Sequence, residues 1–198
     1  MTHSQLANLR RRFLQSALAL KRLARDPRQR NPFVFVIASA FLEYLSKLAY
    51  NGGRAAEYKR FITRYLSVVN HRYRTFQYRF ANGTTKRDLP IQMYHVLRCG
   101  IIHGYSLFPD TVAASRGGRN RSIVLVHRQA RVEHLALRYH NHEPTCVLVA
   151  EDFAADIEAV VIDLFRKARK NKALTRRIGR WAAKHPPIQG GVAITRRP

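Results

Sequence analysis

Between Ser4 and Arg25, Leu6, Leu9, Phe13, Ala17 and Leu20 recur three or four positions apart, with arginines on the opposite side. That spacing predicts an amphipathic helix, and Asp26-Pro27 stops it. Pro32 opens a second helix, from Phe33 to about Tyr50. It is apolar nearly all round, the mark of a central buried helix. Asn51-Gly52-Gly53 ends it. A third helix is expected over Ala55 to Val69, with Tyr58, Phe61, Ile62, Tyr65 and Leu66 turned inward. Tyr73, Phe76 and Phe80 give His71 to Phe80 a helical stripe, so that segment reads as helix or irregular chain. Asn82-Gly83 is a turn signal. Asp88 can cap a further helix, with Pro90 in its first turn, running to about Tyr105 with Ile91, Tyr94, Leu97 and Ile101 inward.

After Pro109 the pattern changes. Arg116 to Arg121 forms a basic, glycine-containing loop. Ser122 to His127, Val132 to Tyr139 and Thr145 to Ala150 read as short strands, expected to form an antiparallel β-meander. Glu151 and Asp152 then open a last long helix with Phe153, Ile157, Val160, Val161, Leu164 and Ala168 on its apolar face. Acids in its first turn and Lys/Arg in its last complement the helix dipole. The expected fold is therefore mainly α: a helical bundle with a small antiparallel meander inserted at about 122–150, before the last long helix. Residues 1–170 read as one domain and 171–198 as a basic, poorly ordered tail.

Composition supports a globular chain with a polyanionic partner. Of 198 residues, 46% are hydrophobic, enough for a core. Thirty-six Lys and Arg against twelve Asp and Glu give a net charge of +24, and such a one-signed surface points to nucleic acid. The basic residues are mostly arginine, whose planar fork suits phosphate. They run through the whole chain rather than lining one membrane anchor. The most apolar run, Phe33 to Leu48, is broken by Ser39, Glu43, Ser46 and Lys47, so no bilayer span is expected. The first residues lack the features of a secretory signal. Cys99 and Cys146 make no disulfide framework, and a cytoplasmic protein is expected. No Walker loop, dinucleotide fingerprint, G-x-S-x-G or H-E-x-x-H appears.

One constellation carries chemistry. In Arg98-Cys99-Gly100-Ile101-Ile102-His103-Gly104-Tyr105, an arginine precedes a histidine by five positions and a tyrosine by seven. RNA is cut when its own 2′-hydroxyl attacks the adjacent phosphate. That reaction needs a proton acceptor and donor near neutral pH, which histidine supplies, and a fixed positive charge on the transition state, which arginine supplies. His103 would be the acid/base and Arg98 the phosphate clamp, with Tyr105 bonding phosphate or stacking on a base. No metal or other cofactor is required. An arginine and a histidine near a helix C-terminus also serve simply to satisfy carbonyls and the dipole.

This run resembles the R-x(4–6)-H motif of the HEPN superfamily, and more narrowly the R-x4-H-x-Y form of HEPN toxins paired with nucleotidyltransferase-type antitoxins. The resemblance covers roughly residues 4–107 and the final helix; the strands at 122–150 are an addition to a minimal HEPN bundle. It implies a metal-independent endoribonuclease acting as a toxin or defence effector, a homodimer, and an antitoxin partner that can modify Tyr105. It equally admits a HEPN-like module that binds RNA, a nucleotide or a partner without cutting. Cys99 stands where active members often carry Asn, Asp or His. On an ideal α-helix, five steps put His103 about 140° from Arg98, while seven return Tyr105 to within roughly 20°. Either Gly100 and Gly104 distort the helix or two copies meet across a two-fold axis; the resemblance implies the second.

Other residues support or extend this site. His95 lies three positions before Arg98, either a second proton-transfer group or a surface histidine. Glu43, inside the apolar second helix, needs a partner. Orienting Arg98 and forming a structural ion pair are both open to it. Arg116, Arg119 and Arg121 are RNA-contact candidates on a loop where glycines let backbone approach phosphate. Arg72, Arg74 and Arg79 interleave with Tyr73, Phe76 and Tyr78, a pattern that clamps and stacks single strands or packs rings beneath solvated arginines. His140 and His142 lack the further ligands of a zinc site.

Overall fold

The computed structural model describes residues 1–26, 33–52, 54–101, 123–140 and 142–185. The protein is mainly helical. Helix α1 (His3–Arg25) starts from a capping box. The Thr2 hydroxyl accepts from the Gln5 N–H, and the Gln5 side chain accepts from the Thr2 N–H. Its buried stripe, Leu6, Leu9, Phe13, Ala17, Leu20 and Ala24, lies along α7 (Ala150–Lys170). That helix buries Phe153, Ile157, Val160, Val161, Leu164 and Phe165. Lys21 and Glu158 close the pair with a salt bridge.

Helix α2 (Phe33–Tyr50) sits between these and the remaining helices. Its phenylalanines interlock with both long helices: Phe41 stacks on Phe13 at 5.6 Å and Phe35 on Phe153 at 6.3 Å. By length and composition alone α2 is apolar enough to cross a membrane. In this fold half of it is buried inside the bundle, and two of its polar interruptions, Glu43 and Lys47, pair with each other there. Asn51, at φ 57°, turns the chain out of α2 in the left-handed conformation that asparagine tolerates.

The third expected helix is present but not uniform. It runs as α3 (Ala55–Phe61), a π-helical turn (Ile62–Leu66) and α4 (Ser67–Val69). The segment read as helix or irregular splits into α5 (Arg72–Thr75) and β1 (Tyr78–Arg79). Strand β1 pairs with β2 (Thr85–Lys86) across the Asn82-Gly83 turn, where Gly83 takes φ 80°. Pro90 lies in the first turn of α6 (Leu89–Gln92), which passes directly into a π-helical segment, Met93–Ile101.

Two expectations are corrected. The sheet is not an antiparallel meander. Strand β5 (Glu143–Val149) is central, with β3 (Ile123–Val126) parallel on one side and β4 (Leu137–His140) antiparallel on the other. A meander would put β4 in the middle. The most continuously buried strand takes that place instead, β5 being buried from Pro144 to Val149. The supposed tail is also partly wrong. Lys172–Lys184 forms α8, capped by the Asn171 side chain, which accepts from the Leu174 N–H at 3.0 Å. Leu174 and Ile178 are buried, and Trp181 packs against the core. Arg177 donates to the Ala49 carbonyl at 2.6 Å, satisfying an unpaired end of α2. Residues 186–198 lie outside the described residues.

Candidate active site around Arg98

Arg98 is carried by the π-helical segment Met93–Ile101, whose Met93, Val96 and Leu97 are buried against the bundle. π-Helices are rare and recur at functional sites, because the wider winding re-aims side chains. Here the guanidinium turns toward α2. Its Nη2 donates to Glu43 Oε1 at 3.1 Å, and Lys47, one turn along α2, reaches the same oxygen at 2.7 Å. The Glu43 side chain is only 12% exposed and that of Arg98 22%, so solvent screens the pair weakly.

Burial alone would push the Glu43 carboxyl up. Hydrogen bonds and charge from Arg98 and Lys47 outweigh it and hold the carboxyl below the usual carboxylate range. Burial disfavours the Arg98 cation too, but the bonds to Glu43 and Cys99 raise its pKa above the ordinary value. Two cations facing one carboxylate leave one positive charge in surplus, a charge available to an incoming anion.

The rest of the guanidinium is held by softer contacts. It lies over the Tyr94 ring at 5.5 Å, and Nη1 meets Cys99 Sγ at 3.7 Å. Its Nε is buried with no hydrogen-bond partner among the described residues. Tyr94 packs edge-on against Tyr58, which is wholly buried and whose hydroxyl burial pushes up. His95 packs edge-on against Tyr94 at 5.3 Å, so it joins the site through that ring. Glu43, Arg98, Lys47, Tyr94 and His95 thus form one cluster in which Arg98 is fixed in place.

His103, Tyr105, Arg116, Arg119 and Arg121 lie outside the described residues. Arg72 is engaged elsewhere: it pairs with Glu133 and donates to the His134 carbonyl at 3.4 Å. Arg74 is exposed on α5.

Lys47 and Tyr94 join the site as residues the sequence offered only as a break in the apolar run and as a core contact. Both carry a signal, since each lies four positions from a partner in the cluster. A second polar network gave no such signal. The Val149 N–H donates to His134 Nδ1 at 3.0 Å, which leaves the ring proton on Nε2. That nitrogen faces the Tyr73 oxygen at 3.0 Å and Asp156 Oδ2 at 3.3 Å, and Tyr73 donates to the same carboxylate at 2.9 Å. The three side chains come from α5, the approach to β4 and α7, and their network ties those elements together.

No family model, no curated protein and no solved structure matches the chain.

Proposed function

We propose that the protein is a metal-independent RNA endonuclease of HEPN type, acting as a toxin or phage-defence effector in the cytoplasm. The observation that supports this most is the placement of Arg98: a cation fixed by Glu43 and Tyr94, with positive charge in surplus over the one carboxylate it shares with Lys47. A transition state with extra charge on phosphate is stabilised by such a preorganised cation, because no side chain must reorganise as charge develops. The π winding of Met93–Ile101 adds support, since such windings recur at functional sites.

In the reaction, the RNA 2′-hydroxyl attacks the adjacent phosphorus, the bond to the 5′-oxygen breaks, and a 2′,3′-cyclic phosphate and a 5′-hydroxyl result. His103 takes the proton from the nucleophile or returns one to the leaving oxygen. Arg98 holds the phosphate, and Tyr105 bonds it or stacks on a neighbouring base. Glu43 and Lys47 act through Arg98 and set its direction. Two copies of the chain would complete the cleft. The exposed Phe33 and Ile37 on α2, 43% and 37% accessible, are apolar positions suited to such a contact. A nucleotidyltransferase-type antitoxin would be the cognate partner.

The chemistry has a direct test. Incubated with the protein in EDTA, unmodified RNA is cut to fragments ending in cyclic phosphate, and the same sequence with 2′-O-methyl groups stays intact. Cutting of both would point to a different nucleophile. Cutting of neither would leave a HEPN-like module that binds RNA, a nucleotide or a partner without turnover.

A further inference from the structure

Away from Arg98, α5 and β1 face the residues leading into β4 across a groove of about 480 Å³. His71, Arg72 and Arg79 line one side, Glu133 and Arg138 the other, and the buried Phe76 contributes to its floor. Glu133 is the one acid in this lining, and Arg72 neutralises it through their ion pair. Arg79 and Arg138 therefore stand as surplus positive charge; no ion pair joins either to a carboxylate among the described residues. At the edge of the groove stands Tyr139, 55% exposed, an unusual exposure for a ring. Its hydroxyl donates to the Arg79 carbonyl at 2.9 Å, which holds the ring at the Arg79 end of the groove.

We propose that this groove holds a segment of single-stranded RNA, with phosphates on Arg79 and Arg138 and a base stacked on Tyr139. The choice of RNA rests on the ribonuclease reading; the groove itself rests on its charge and its ring. A strand needs both parts. Arginine neutralises the backbone in a fixed fork, and an aromatic face accepts any unpaired base without reading its edge. A ring already held by a hydrogen bond loses little freedom on stacking. A duplex keeps its bases stacked internally and would leave Tyr139 unused. The proposal also gives the sheet a role: β4 supplies Arg138 and Tyr139, and β1 supplies Arg79. Arg72, a sequence candidate for RNA contact, acts here as the neutralising partner of Glu133.

The test measures binding of a fluorescent 2′-O-methyl oligonucleotide, which the proposed reaction cannot cut, to the full chain. Tyr139→Ala weakens binding roughly 5- to 150-fold, the range for loss of one stacked base. Tyr139→Phe keeps the ring and stays within about twofold of wild type. Arg79→Glu with Arg138→Glu lowers affinity and reduces the salt slope by about 1.4, at about 0.7 per single-strand phosphate contact. A charge-matched control, Arg10→Glu with Arg12→Glu on the exposed side of α1, loses less. Thermal melts confirm that each variant is folded. Wild-type binding by the groove variants, or equal losses in the control pair, overturns the proposal. So does displacement of the oligonucleotide by polyglutamate as readily as by unlabelled RNA, which would indicate an acidic protein partner. Cleavage of unmodified RNA is scored separately. Its absence defeats the ribonuclease reading, while groove-dependent binding still stands on its own.

Discussion

At the scale of single residues, the site turns on one carboxylate. Glu43 sits among apolar side chains of α2 because two cations meet it there. Replacing it with Gln keeps the shape and removes the charge, leaving Arg98 and Lys47 facing each other without their counter-charge. The expected result is a fall in cleavage rate of about 10- to 100-fold with oligonucleotide affinity nearly unchanged, since Arg98 loses its direction. Stability should fall by about 1–3 kcal/mol at neutral pH. The sign with pH follows from the direction of the shift. The folded pKa of Glu43 lies below its ordinary value, so its contribution is complete above the unfolded pKa and is lost as pH falls through the folded one. Denaturant titrations of wild type and Glu43→Gln should therefore differ at pH 7 and converge in acid, once Glu43 is protonated in the folded protein. A difference that persisted in acid would mean that Glu43 acts by packing rather than by charge.

The Tyr73–His134–Asp156 network belongs to the same scale but to stability. Tyr73→Phe removes a hydroxyl that donates to Asp156 and contacts His134 in a buried setting. Loss of about 1–2 kcal/mol in chemical denaturation is expected, with RNA cleavage unchanged. Loss of cleavage at full stability would bring this histidine into the catalytic account instead.

At the scale of elements, α1, α2 and α7 were legible because their apolar residues repeat at 3.6 over many turns and their ends carry caps, breakers or dipole-matched charges. The π windings were not. Apolar residues three to five apart fit both periods, and tertiary packing decides between them. The sheet was legible as three apolar segments but not in its order, since strand direction leaves no mark on alternation. Helix α8 was misread because its basic residues outnumber its buried ones, although Leu174, Ile178 and Trp181 keep helical spacing. Its place in the core is measurable. Ile178→Ala should destabilise the protein by about 2–4 kcal/mol, because Ile178 is fully buried. A change below about 0.5 kcal/mol, the size of a surface substitution, would return α8 to the status of a dispensable tail.

The candidate site was partly legible for a similar reason. A carboxylate inside an apolar helix demands a partner, so Glu43 drew attention from sequence, with Arg98 among the basic residues considered for it. Lys47 lay within reach of the i,i+4 rule. The Tyr73–His134–Asp156 network joins residues 61 and 83 positions apart, and the groove at Tyr139 depends on a contact across 60. Neither separation leaves a pattern in a single sequence.

At the scale of the whole molecule, charge and position point the same way. A net +24 attracts any polyanion and steers it over long range. Attraction alone does not cut a chain. Turnover requires that one cation be held rigid while a titratable group exchanges a proton beside it. The proposal assigns the first task to Arg98 and the second to His103.

Full-length wild type, Arg98→Ala and His103→Ala, purified identically and incubated with RNA in EDTA, put that assignment to the most direct test. The account predicts cleavage by wild type and a loss of at least about 100-fold in either variant, the scale of one acid/base or electrostatic contribution, with RNA binding retained by His103→Ala. Equal cleavage by all three proteins, or none by wild type, would contradict it.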